Sequence, residues 1–358
     1  WYDFYIENGE VKVKIGYFGD HMPELLLNNT AVREEITSIS KFWLDRGVKG
    51  FRLDAAGHFF ETHPENIDFL GWFSDMVKSY KQDSYIVAEA WENFNVQKYY
   101  YAGVESLFNF DGANATGFII DSIMARSGPQ LSHYISNAFS EAYTINENAL
   151  MAMFLTNHDM DRSSQMFTGD QDERQKLGAS VYLLTPGVPF MYYGEEIGLK
   201  GSRQGAMTDA NRRLPMIWKR VGDKHRTNPP IGTTYNMANQ VKYGAEDLLS
   251  EPFSLLNHYR KVINVRNTHP WIKNARAYNL RLNNNGVAGL TLKEHNGERE
   301  LHVIHNLLAE EVSLNLTRFI SEYEVEIIHD IYTTGTRAKY VDGSLTLAPY
   351  SSVVLRRK

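Results

Sequence analysis

Gly50-Phe51-Arg52-Leu53-Asp54 is a short strand-like run closed by a carboxylate, and the chain repeats that device twice. Tyr85-Ile86-Val87-Ala88-Glu89 is the second run, and Met153-Phe154-Leu155-Thr156-Asn157-His158-Asp159 the third. Glu89 lies 35 residues after Asp54, and Asp159 lies 70 after Glu89. Those intervals are close to one and then two strand–helix units. A (β/α) barrel gathers the ends of its parallel strands at one face, so the spacing predicts an α/β fold of that kind. Carboxylates meeting there suit glycoside chemistry, in which one attacks and another donates a proton.

The segments around these runs support strands alternating with helices. Residues 29–46 place Val32, Ile36, Ile39 and Trp43 at helical spacing, with Asn29 or Thr30 to cap the start and Gly47 to end it. A second helix is predicted from Pro64 to Tyr80, with Ile67, Leu70, Phe73 and Val77 as its buried stripe. Ser106-Leu107-Phe108 reads as another strand, 129–147 and 172–184 as helices, and Gly187–Gly194 as one more strand. Residues 254–267 read as a last helix, with Leu256, Tyr259 and Ile263 on one side. The intervening 198–250 is polar, lacks periodicity and is expected to be a long functional loop.

After Pro270 the period changes from helical to alternating. Val312/Leu314/Leu316, Val325/Ile327 and Leu345/Leu347 are separated by the turn signals Asn285-Gly286, Asn296-Gly297 and Asp342-Gly343. A C-terminal antiparallel β-sandwich over 276–358 is expected. The barrel part shows five strands, near residues 50, 85, 107, 153 and 190, where a closed barrel needs eight. The expectation is therefore strands 4–8 of a (β/α)8 TIM barrel over 29–268. Residues 1–28 would return from an inserted domain, and the missing N-terminal barrel segment would be a partner of this chain.

Composition bounds the partners. The chain has 358 residues, 43% hydrophobic and 22% charged, as in ordinary globular proteins. With net charge −6, no basic stretch and no apolar run of about 20 residues, neither nucleic acid nor a membrane is an expected partner. There is no cysteine, which excludes disulfides and thiolate metal sites and is compatible with export.

Arg52 and Asp54 are two apart on a strand, so they share a face, and the guanidinium can hold the carboxylate ionised. The plainer reading is a structural ion pair. Glu89 precedes Ala90-Trp91, and an adjacent indole can desolvate the acid and keep it protonated, as a general acid requires. The plainer reading is an exposed glutamate at a strand–loop junction. His158 and Asp159 can donate to and accept from sugar hydroxyls, or serve as a core histidine and a helix cap. His58, four after Asp54, is as a lone histidine more often structural, and no second ligand at helical spacing makes a zinc site with it.

Taken together, these segments resemble the α-amylase superfamily of retaining glycoside hydrolases. Gly50–His58 is similar to its strand-4 motif, which implies Asp54 as nucleophile and Arg52 as its arginine. Glu89 matches the strand-5 acid/base. Phe154–Asp159 matches the strand-7 motif, with Asp159 as transition-state stabiliser and His158 as a sugar contact. Gly187–Glu195 resembles strand 8, and Met22-Pro23-Glu24-Leu25 the segment before the strand-4 helix. Three departures stand out: Gly57 where many members carry lysine, Glu24 and Leu26 for the usual Asp and Asn, and no Asp-x-x-x-Asn-His motif of strand 3. The resemblance implies hydrolysis of α-1,4-glucosidic bonds in starch-like glucans or maltooligosaccharides. It also implies that His58 contacts substrate and offers a backbone carbonyl to a structural calcium, with no organic cofactor. A transglycosylase or a sucrose- or trehalose-processing enzyme is the alternative within the family. A non-catalytic binding subunit is the other, against which the chain keeps all three carboxylates. Nucleophile and acid of a retaining enzyme are expected about 5–5.5 Å apart.

Overall fold

A computed structural model describes residues 2, 4–13, 16–19, 21–167, 172–203, 209–320 and 324–358. Parts of the expected segments 1–28 and 198–250 therefore lie outside the described residues. The chain divides into two compact units, 1–108 with 142–149, and 109–141 with 150–358.

The first unit opens with an antiparallel hairpin of β1 (Phe4–Glu7) and β2 (Glu10–Val13). Helix α1 (Thr30–Asp45) starts where Asn29 accepts the amide of Ala31. Its buried ridge is Val32, Ser40 and Leu44, whereas Ile39 and Trp43 are about half exposed. The expected stripe is thus rotated: a ridge of i, i+4 steps running from Val32 faces inward. Strand β3 (Gly50–Leu53) pairs in parallel with β4 (Tyr85–Ala88), and β4 with β5 (Ser106–Phe108). Between β3 and β4 runs α2 (His63–Tyr80), capped by Thr62, which accepts the amide of Glu65 while its hydroxyl donates to that side chain. Leu70, Phe73 and Val77 are buried as expected, joined by Phe69. The four-residue α3 (Phe94–Gln97) lies between β4 and β5.

In the second unit, α4 (Phe118–Ala125) and α5 (Gly128–Ile145) precede β6 (Leu150–Ala152). Helix α5 ends beyond the unit's first segment. The short α6 (Ser163–Met166) follows, and then α7 (Glu173–Leu183), buried from Gln175 onward. Gly187–Gly194 does not form the expected strand. It is an extended segment that donates Val188 N–H to Met151 O (3.0 Å) and Phe190 N–H to Met153 O (2.8 Å). Pro189 has no N–H to donate, and the alternation with β6 is brief, so a ladder does not develop. Then come α8 (Ala245–Leu249) and α9 (Leu255–Thr268), which buries Leu255, His258, Tyr259 and Val262 instead of Leu256 and Ile263.

The described residues of 276–357 form two antiparallel sheets. The larger contains β7 (Arg276–Asn279), β8 (Val287–Lys293), β9 (Glu300–Asn306), β11 (Val325–Ile331) and β14 (Ser352–Arg357), in the order β11-β14-β9-β8-β7. The smaller contains β10 (Val312–Asn315), β12 (Lys339–Val341) and β13 (Ser344–Leu347), in the order β10-β13-β12. Val312, Leu314, Leu345 and Leu347 meet Ile304, Val353 and Leu355 in one core, as inward alternation requires. Asp342 (φ 48°) and Gly343 (φ 79°) are both left-handed, which is the turn a two-residue hairpin needs between β12 and β13.

Candidate active site

The end of β3 and the end of β4 bring Arg52, Asp54 and Glu89 together. One guanidinium bridges both carboxylates: Arg52 Nη1 lies 2.7 Å from Asp54 Oδ1, and Nη2 lies 2.6 Å from Glu89 Oε2. The two acids differ in setting. The Asp54 side chain is 75% exposed and that of Glu89 only 8%. Burial raises the pKa of Glu89, a hydrogen bond with Asp54 raises it further, and Arg52 and the Ala55 amide pull it partly back. Asp54 and Glu89 thus share one arginine, each carboxylate on its own guanidinium nitrogen.

The backbone makes this possible. Glu89 N–H donates to Leu53 O (2.9 Å) and Ala56 N–H to Glu89 O (2.8 Å), so the parallel pairing continues past the strand ends. Ala55 turns the chain in the left-handed region, at φ 47° and ψ 39°, and its N–H reaches Glu89 Oε2 at 3.4 Å. Such a conformation costs a non-glycine residue on the order of 1–2 kcal/mol and concentrates at functional sites. The buried Asn66 fixes the loop beyond, donating to Gly57 O (2.7 Å) and accepting from Phe60 N–H (2.7 Å). Gln97 does the same after β4, donating to Ala90 O (2.6 Å) and Phe108 O (2.8 Å).

His58 stacks on Tyr17 with ring centroids 3.8 Å apart. Both line a cavity of about 570 Å³ with Glu24, Phe60 and Glu92. Among the described residues, no three His, Asp or Glu side chains gather as a metal site.

In the second unit, Met153, Phe154 and Leu155 are buried beyond β6, and the chain then turns at Asn157, whose Oδ1 accepts from Asp159 N–H (2.9 Å). Asp159 Oδ2 lies 3.1 Å from His158 Nε2, and its Oδ1 lies 2.7 Å from Arg213 Nη2. Arg213 also donates to His158 O (3.2 Å), and Arg212 to Asp159 O (2.7 Å) and to Asp161 (2.8 Å). Arg162, 2% exposed, holds this loop from beneath by donating to Arg212 O (2.9 Å) and Tyr193 O (2.7 Å). Its guanidinium lies within 4.6 Å of the ring centroids of Tyr192 and Tyr193. Sequence reasoning missed Arg162, Arg212 and Arg213. The last two lie in the aperiodic loop, where spacing carries no signal.

Residues 10–275 match the family described as "Alpha amylase, catalytic domain", and 292–354 match "Alpha-amylase SusG C-terminal domain". The chain belongs to the alpha-amylase family. Alpha-amylase 3 of Dictyoglomus thermophilum is 32% identical over 95% of this chain. A 4-alpha-glucanotransferase of Thermotoga maritima is 27% identical over 87% of it. The solved structure of Eubacterium rectale Amy13B superposes with a TM-score of 0.88 at 32% identity, covering 95% of this chain. The chain spans 64% of the Dictyoglomus relative and 66% of the Amy13B chain. Its architecture is that of an alpha-amylase, a TIM barrel with a C-terminal sheet domain.

Proposed function

We propose that this chain carries the reacting groups of a retaining glycosidase that cleaves α-1,4-glucosidic bonds of starch-like glucans or maltooligosaccharides. The observation that carries the reading is the unequal pair on Arg52: an exposed acid and a buried one, bridged by a single guanidinium. The buried Glu89, its pKa raised, suits protonation of the leaving oxygen. The exposed, arginine-paired Asp54 suits attack on the anomeric carbon. The C–O bond to the leaving sugar then breaks as a glycosyl–Asp54 ester forms. Glu89, now a carboxylate, takes a proton from the water that hydrolyses the ester. Asp159 would favour the positively charged transition state, with Arg52, His158 and His58 as substrate-binding residues. Within the barrel, β3, β4, β5, β6 and the extended segment 187–194 are read as strands 4 to 8. For calcium, which takes six to eight oxygens, His58 would supply one backbone carbonyl, and no three His, Asp or Glu side chains cluster among the described residues. No step runs through it.

The test uses the natural enzyme. Glu89→Gln should lower kcat/KM on maltooligosaccharides by about 10²–10⁴-fold. It should spare the first step on an aryl glycoside whose leaving group needs no proton. Asp54→Asn should abolish both. Equal loss of the first step with both leaving groups in Glu89→Gln would remove Glu89 from the acid role. Transfer to a second sugar in place of water is the other reading, supported by the match to a 4-alpha-glucanotransferase. Product analysis with maltotriose separates the two: longer oligosaccharides mean transfer, and glucose with maltose means hydrolysis.

A further inference from the structure

In the second unit, residues 217–243 fold around a cavity of about 450 Å³. We propose that this cavity is a binding site for a phosphoryl group, carried by a sugar phosphate monoester or as free phosphate. Lys219, Arg220, Arg226 and Lys242 line it, against Asp223 as the single carboxylate in its wall. The carboxylates of this region are engaged by the backbone. Asp223 accepts from the amides of Trp218 (2.8 Å), Lys219 (3.3 Å) and His225 (3.0 Å). Asp247 accepts from the amides of Arg220 and Gly244, each at 2.8 Å. The side-chain ion pair of Lys219 with Glu246 is long at 3.8 Å and exposed on both sides. Among the described residues, Arg220, Arg226 and Lys242 have no carboxylate within ion-pair distance, and the cavity wall holds four cations against one carboxylate.

These cations are exposed, and three of them have defined neighbours. Arg226 donates to Gln240 Oε1 at 3.3 Å. Gln240 is 1% exposed and donates in turn to Pro215 O at 2.6 Å. Lys242 Nζ and Arg220 Cζ lie 5.2 and 5.9 Å from the Tyr243 ring centroid, so two cations stand near one aromatic ring. Gly244 allows the turn, since a Cβ there would meet the backbone of Trp218 and Lys219. A phosphate monoester carries about −1.5 to −2 charges at pH 7, which matches a site of several cations. Arginine forks suit its oxygens, and an aromatic face suits the C–H face of an attached sugar.

Isothermal titration of the natural protein with inorganic phosphate and with glucose 6-phosphate tests this. Saturable binding at millimolar concentration or below is expected, weakened about tenfold or more in Arg226→Gln and in Lys242→Gln. Lys242 is exposed, so its variant should melt like the parent. Lys224→Gln, in the same loop but outside the cavity lining, should bind as the parent does. Glucose 6-phosphate binding more tightly than phosphate assigns a sugar phosphate, and equal affinities assign phosphate alone. The proposal is overturned if neither probe binds, if the two cavity variants bind as the parent does, or if Lys224→Gln weakens binding as much as they do.

Discussion

Arg52 stands between two acids, and its removal affects them unequally. The guanidinium lowers the pKa of Glu89 against the rise caused by burial and by Asp54. In Arg52→Gln the opposing charge is gone, so Glu89 should hold its proton to higher pH. The basic limb of the kcat/KM profile should move upward while kcat falls. A limb that stays in place would mean that another group sets it. A second residue-scale prediction concerns Glu195, buried beside Tyr259 and pushed up from 4.5 to about 7 by burial. Its folded-state pKa is above its unfolded value. The associated stability is therefore full below pH 4.5, is lost as pH rises toward 7, and is absent above. The change is up to about 3 kcal/mol. Glu195→Gln should flatten that part of the stability–pH curve, measured by urea melts between pH 4 and 8.

At the scale of elements, β3 and β4 lie so close at Gly50 that a Cβ would fall on the Tyr85 carbonyl oxygen. Gly50→Ala should therefore cost about 3 kcal/mol or more, read as a lower urea midpoint. A neutral outcome would contradict the register of Gly50 opposite Tyr85. The elements legible in the sequence are those whose signals are local. Asn29 caps α1, and Asp342-Gly343 makes its hairpin. The inward face of α1 was not legible, because Ile39 and Trp43 have helical spacing yet are half exposed, while Ser40 is buried. Gly187–Gly194 has strand composition but only a one-sided pairing. Arg52 with Asp54 could be read from period two, whereas the same arginine's contact with Glu89 depends on strand register. The arginines on Asp159 come from a loop whose conformation no periodicity encodes.

At the scale of the molecule, the second unit joins barrel helices to the C-terminal sheets through buried polar bonds. The Lys176 ammonium, 4% exposed on α7, donates to Thr333 O at 3.1 Å. Gly289 N–H donates to Ser132 Oγ, and Gly128 N–H to Asn285 O, each at 2.8 Å. Separating these partners would leave buried groups unsatisfied, at about 1–3 kcal/mol each. Residues 109–141 and 150–358 should therefore open as one cooperative unit. Native-state hydrogen exchange should give α7 and β9 opening free energies within about 1 kcal/mol of each other. Sheets that open well below α7 would refute the coupling.

The order β11-β14-β9-β8-β7 has a consequence for synthesis on the ribosome. Strand β14 is made after every other strand of its sheet, yet it occupies a place between β9 and β11. Until Ser352–Arg357 has emerged, the nascent sheet is split, with β9 and β11 each presenting an open edge to other chains in the cell. The C-terminal sheet domain therefore cannot be finished in the order in which it is translated. Its protection from aggregation during that interval falls to chaperones, or to the speed with which the last strand slots in.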